Sequence, residues 1–248
     1  MKLNVRPFAF MTLATIALAS GVAFTQPAPA PAPRPTPPAA PPAASAALTG
    51  VQRFEVRPGG ISRVTVTSDA PIETIDGVST NTTGNFTVDL ANPSRQTTGR
   101  VVVAATSIRT GSDMRDDHLR GANWIDAARF PEIALDITGA DITRPLAPNA
   151  PVRGNVRGRF SLHGQTHDVT VPVTVRLVPL NPTEHAGMDQ FGINADMLRV
   201  QGEFRIRLSD YGVSIMAPLR LKVSNEIRVR VDLTTFRQAA APAAPAAT

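Results

Sequence analysis

Along most of this chain apolar and polar residues alternate one by one. In HDVTVPVTVRL (residues 167–177) Val169, Val171, Val173, Val175 and Leu177 fall on one side, with Thr170, Pro172, Thr174 and Arg176 on the other. GEFRIRLS repeats the scheme with Phe204, Ile206 and Leu208, and EIRVRVDL with Ile227, Val229, Val231 and Leu233. VRGNVRGRFSL sets Val152, Val156, Phe160 and Leu162 against Arg153, Arg157 and Arg159. Shorter copies lie at Phe54/Val56, Val64/Val66, Phe86/Val88/Leu90 and Ile133/Leu135/Ile137. Strict period two means strands with one dry face and one wet face.

About eight such runs, joined by turns containing Gly, Asn and Pro, predict an all-β fold. A closed antiparallel eight-stranded barrel is expected, because closure removes edges that would pair with other chains; a two-sheet sandwich is the alternative. Gly154 and Gly158 fall on the inward face of their strand, where a missing side chain permits sharp bending or leaves room inside. A barrel of this size is either just filled by its own side chains or holds one ligand. Periodicity reports burial and not what occupies the enclosed space, so both interiors fit the pattern. A hollow one would take a long apolar ligand, because no charged residue points inward.

One stretch breaks the alternation. SIRTGSDMRDDHLRGANWIDAARFPEI (107–133) gathers Asp113, Arg115, Asp116, Asp117, His118 and Arg120, then the chain's one Trp. Ser112 is placed to cap a short helix through its hydroxyl, with Asp113 near the positive end of the helix dipole. Asp116 and Arg120 are four apart and pair across one turn, and Gly121 ends the helix. Trp124, Ile125, Phe130 and Ile133 then return apolar weight to the barrel. The passage reads as a short helical insertion near one barrel mouth. As a catalytic knot it would use His118 as general base with Asp117 or Asp126. That chemistry needs a nucleophile and an oxyanion site as well, and neither is evident, so the structural reading is preferred. His163 and His167 lack a third metal ligand nearby in sequence and read as turn residues; His185, near Glu184 and Asp189, reads as a solvated loop residue. No metal site, catalytic residue or cofactor is expected.

The ends change the picture of where the domain works. Lys2 and Arg6 precede an uncharged apolar run, residues 8–24, with small residues at Ala17, Ala19, Gly21 and Ala23. Residues 1–25 thus read as a signal peptide, or as a retained N-terminal anchor. Residues 26–47 hold nine prolines and no large apolar residue, the composition of an extended, disordered spacer. The domain spans 48–237, and residues 238–248 form a disordered Ala/Pro tail. There is no Cys, which excludes disulfides and thiol chemistry. A periplasmic or secreted protein is expected, near a membrane if the N-terminus is retained.

The formal charge of +5 drops once Lys2, Arg6 and Arg34 are set aside, leaving 22 basic against 20 acidic residues in the domain. Arginines are scattered singly along strands rather than interleaved with aromatics, so nucleic acid is not expected as a partner.

SIRTG, RDDHLRGANWIDAARFPEI, GRFSLHGQTHDVTVPVTV and RLSDYGV follow one another in the order of the hallmarks of the YceI-like proteins. The chain resembles that family from about Phe54 to Phe236. Asn123, Trp124–Ile125 and Tyr211 depart from its usual residues, and VTVTSDAPIETIDGVSTNTTGNF lacks its F-x-V-x-H-x pattern. The resemblance implies a lipocalin-like bacterial periplasmic barrel that binds a polyisoprenoid or another amphiphilic lipid. It also implies that Arg115, Asp116, His118 and Arg120 tie the insertion to the rim. On this reading Phe86, Val103, Phe160, Val171, Val173, Phe204, Ile206, Val229 and Val231 line the tunnel, with Trp124 and Tyr211 near its mouth. The expected partner is a long-chain apolar or isoprenoid lipid, and a homodimer of barrels is compatible with the pattern. The rival readings are an envelope interaction module with a filled barrel, and a small hydrolase or isomerase using His118.

Overall fold

The computed structural model describes residues 48–59, 61–181 and 183–238. The leader, the spacer and all but the first residue of the tail lie outside the described residues. Ten strands follow in chain order: β1 (Val51–Val56), β2 (Arg63–Asp69), β3 (Thr74–Ser79), β4 (Thr82–Asp89), β5 (Thr97–Ala104), β6 (Glu132–Asp141), β7 (Pro151–Leu162), β8 (Gln165–Val178), β9 (Met197–Arg207) and β10 (Glu226–Arg237). One α-helix, α1 (Asp113–Arg120), stands between β5 and β6, after a single 3-10 turn at Ala105–Ser107.

These ten strands fill eight positions around a closed antiparallel barrel. One edge of β10 pairs with β2 from Ile227 to Asp232 and with β1 from Thr235 to Arg237. The outer edges of that broken strand pair in turn with β4 and β3, so β1/β2 and β3/β4 are each one strand interrupted by a loop. From β4 the ladder continues through β5 to β10 and closes there. At the first interruption the buried Ser62 spans the gap: its hydroxyl donates to the Thr234 carbonyl and accepts from the Thr234 N–H, both at 3.1 Å.

Inward positions on the long strands follow the alternation read from the sequence. On β8 Val171, Val173, Val175 and Leu177 are buried, while Thr170, Pro172 and Arg176 are not. Outward arginines pair across strands, as in Arg199–Asp232 (2.7 Å), Arg205–Glu226 (2.6 Å) and Arg230–Glu203 (2.9 Å). Such exposed pairs contribute little to stability, about 0–1 kcal/mol each. Gly158 serves bending rather than room. A Cβ there would sit 2.5 Å from the Asp136 carbonyl of β6, beside the bulge between Ile137 and Gly139.

The two ends differ. The segment after β6 crosses the far end, where Leu146 donates its N–H to Leu90 (2.8 Å), Ser94 bonds Ile142, and Asn149 donates to Leu177 (2.7 Å). The opposite end, the rim, carries α1, the β2–β3 loop, the tight His163–Gly164 turn and the long β9–β10 connection. His163 (φ 50°) and Gly164 (φ 76°) both adopt the left-handed backbone that a two-residue hairpin turn uses.

Candidate functional site

A cavity of about 560 Å³ runs along the barrel axis. That lies within the range of small-molecule sites, roughly 300–1,000 Å³. Its wall is aliphatic and aromatic on every side. Val171 and Val173 face it from β8, Phe204 and Ile206 from β9, and Val229 and Val231 from β10. Phe86 of β4, Val103 of β5 and Phe160 of β7 complete the ring, and Trp124 reaches it from the loop after α1.

Tyr211 is the exception among the expected lining residues. It is buried outside the cavity, with its ring edge-on to Phe160 (5.7 Å) and His167 (4.9 Å), so it backs the wall rather than forming the mouth. Burial first, and then the Asp210 charge beside it, push its phenol up to about 12. The neighbouring turn is pinned by two imidazoles: His163 Nδ1 lies 2.9 Å from the Tyr211 carbonyl and His167 Nε2 lies 2.8 Å from that of Asp210. A carbonyl can only accept, so both ring nitrogens carry the hydrogen and donate. The turn reading of His163 and His167 thus extends to pinning the β9–β10 connection. His185 bonds the backbone of Asn181 in the β8–β9 loop.

Apart from Ser112 beside α1, the few hydroxyls in the wall are engaged with the protein. Thr97 donates to the Pro93 carbonyl (2.7 Å), Ser79 bonds Ser107 (2.7 Å), and Ser68 accepts from the Ser224 N–H (2.9 Å). Among the described residues the inner wall therefore offers a guest dispersion contacts and desolvation. Ionisable groups gather at the rim alone: Glu73, Arg115, His118 and Lys222 border the opening. Arg115 and Glu73 pair at 2.7 Å, whereas Lys222 has no ion pair among the described residues. Sequence reasoning missed Glu73 and Lys222, which sit in loops without periodicity. It also missed Ile75 and Gly77 of β3, where only Ile75 is large enough to register as apolar.

The charged insertion is held by its own charges. Asp116, buried, accepts from the Thr110 N–H and hydroxyl, both at 2.7 Å, with Arg109 and Arg120 at 3.9 and 3.8 Å. Burial alone would raise its carboxyl, but the two Thr110 bonds and the two arginines outweigh it and hold the group below the usual carboxylate range. The Thr110 hydroxyl also accepts from Arg115 (3.1 Å), whose other end reaches Glu73 across the rim. Arg115 and Asp116 tie α1 down, while Arg120 pairs within the helix to Asp116 and Asp117.

Two details differ from expectation. Ser112 has the extended backbone of an N-cap but makes no side-chain cap bond, and it lies instead among the residues lining the cavity. His118 is no tie either: it is exposed at the opening and makes no side-chain hydrogen bond among the described residues. Asp117 and Asp126 pair instead with Arg120 and Arg129. Among the described residues no three of His, Asp and Glu gather where a metal ion would sit.

The profile of the YceI-like domain matches residues 55–235, most of the chain. The chain belongs to the YceI-like family. Among sequence relatives of this YceI-like protein, a UPF0312 protein of Pseudomonas paraeruginosa is 25% identical over 156 residues, covering 62% of this chain and 70% of its own length. A UPF0312 protein of Vibrio campbellii is 27% identical over 133 residues, covering 54% and 61%. The barrel is shared with solved structures. BcnA of Burkholderia cenocepacia superposes with a TM-score of 0.54 at 19% identity, over 70% of the YceI-like chain and 95% of BcnA. A polyisoprenoid-binding domain of Saccharophagus degradans, implicated in plant cell wall breakdown, gives a TM-score of 0.54 at 15% identity, over 77% and 100%.

Proposed function

We propose that this YceI-like protein carries an amphiphilic lipid, a polyisoprenoid, with the hydrocarbon tail in the barrel cavity and the polar end at the rim. The observation that carries this reading is a continuous apolar bore whose inner-wall hydroxyls, those of Ser68, Ser79 and Thr97, are each bonded to the protein. A guest held there gains about 0.8 kcal/mol per CH₂ removed from water and needs no hydrogen bond along its length. A polar small molecule would lose its water partners and find none in exchange. The polyisoprenoid-binding description of the structurally similar Saccharophagus domain points the same way.

Binding without covalent chemistry is part of the proposal. Asp116 and Arg115 are engaged in holding α1, and His118 has no partner among the described residues to orient it. The signal-like segment at residues 1–25 supports a site of action in the periplasm or beyond. A filled barrel acting only as an interaction module is disfavoured by the open bore.

Extraction of the purified protein with organic solvent, followed by mass spectrometry, tests the reading. The expected result is a prenyl lipid near one per chain, or uptake of added polyprenol to that ratio by delipidated protein. Folded protein that is empty and takes up none overturns it.

A further inference from the structure

We infer that the rim is a bilayer-docking surface, and that its occupant is a membrane bearing anionic headgroups. The β9–β10 connection passes over the opening as IMAPLRLKV, residues 215–223. It holds five large apolar residues, two cations and no carboxylate. Leu219, Lys222 and Val223 of this segment border the cavity, whereas Met216 and Leu221 point away from it and are 67% and 56% exposed. The segment is fixed in place: Ile72 of the β2–β3 loop donates to Leu221 (3.1 Å), and Ser224 donates to Ser68. Ile72 is itself 64% exposed, and Met114, across the opening on α1, is 70% exposed.

Of the seven large apolar side chains that stand in solvent among the described residues, these four sit around one hole. Scattered exposed apolar residues need no explanation, but a group of them around a binding-site entrance marks an interaction surface. Charge decides between partners. Arg220 and Lys222 have no ion pair among the described residues, and no acidic residue shares their segment. Apolar side chains that enter the acyl boundary, flanked by cations that reach up to phosphates, are the composition of an interfacial segment. A docked rim would present the bore directly to acyl chains, so a tail could pass across without crossing water. The purpose, though not the docking itself, rests on the lipid-carrier reading.

Because the chain has no Cys, a dye placed at one introduced thiol reports one position. In the full chain, Ala217→Cys labels the rim segment and Ala186→Cys labels an exposed loop at the far end, each with an environment-sensitive fluorophore. With vesicles of phosphatidylcholine and phosphatidylglycerol (3:1), emission from position 217 is expected to rise severalfold and shift to the blue, while that from position 186 stays unchanged. Vesicles of phosphatidylcholine alone should give a response at least threefold weaker. Adding Ile72→Ser, Met216→Ser and Leu221→Ser together should abolish the rise, with circular dichroism unchanged. No response at 217, equal responses at both positions, an unaffected triple variant, or a response to protein concentration without vesicles (a second copy on the rim) would each overturn the proposal. Polyprenol uptake from detergent solution, measured without vesicles on the same triple variant, separates the two readings. In the protein without these three changes, docking with no uptake sinks the carrier and spares the surface, and uptake with no docking does the reverse; the triple variant should lose docking and keep uptake.

Discussion

At the floor of the barrel Leu90, Ile142, Leu146, Leu177 and Leu198 are 0–4% exposed. At the rim Ile72, Met114, Met216 and Leu221 are 56–70% exposed. The two ends use the same kind of side chain and differ in what covers it. At the floor, the segment after β6 folds back and is tied to Leu90 and Leu177 by main-chain bonds. At the rim, α1 is held to one side by a network of charges and the β9–β10 connection to the other, and neither closes the bore. One end is built for stability and the other for access, and the cavity between them belongs to both.

The largest effect that would test this contrast is at the floor. Leu177→Ala removes a fully buried side chain, and the loss of transfer energy plus a new void should cost about 3 kcal/mol. For a domain of this size that is a fall of about 10 °C in Tm, readable by calorimetry. A loss under about 1 kcal/mol would mean that the floor is not packed as described.

Next comes the insertion. Asp116→Asn keeps the shape but weakens two charge-assisted bonds, and should cost about 2 kcal/mol near neutral pH. The native carboxyl is held below its unfolded value, so this stabilisation is fully present above pH ~4 and disappears as pH falls through the folded value. Urea titrations of the two proteins should therefore differ at pH 7 and converge as the solution becomes strongly acidic. A constant gap across that range would remove Asp116 from its assigned role.

The smallest expected change in stability is the sharpest test of the interior. Val229→Phe adds bulk at a buried wall position. In a packed core that costs about 1–3 kcal/mol; grown into an empty bore it should cost under about 1 kcal/mol. Uptake of a polyprenol should nonetheless fall severalfold, since the added ring takes the guest's space. A large loss of stability with unchanged uptake would contradict a hollow barrel.

The strands of the second half were legible because each carries four or more large apolar residues in strict alternation, as β8 and β10 do. Strand β3 was not: its inward set is Ile75, Gly77 and Ser79, and a Cβ at Gly77 would strike Ile108 and Val66 at 2.9 Å. Small residues are needed there, and small residues leave no apolar trace in a sequence. The expected lining residues on strands all face the cavity, because period two assigns a face without ambiguity. Tyr211 was misplaced because it follows the strand, in a turn whose direction depends on His163 and His167 of another hairpin. Glu73, His118 and Lys222 meet at the opening only once three separate connections have folded over it, which no local pattern encodes.

The junction where β10 passes from β2 to β1 has a consequence of its own. A ladder interrupted there would leave two main-chain groups facing a dry interior and a slit for solvent to seep through. Ser62, with one oxygen answering both the amide and the carbonyl of Thr234, acts as a gasket. The wall can thus take a break in mid-strand without leaving either main-chain group of Thr234 unpaired.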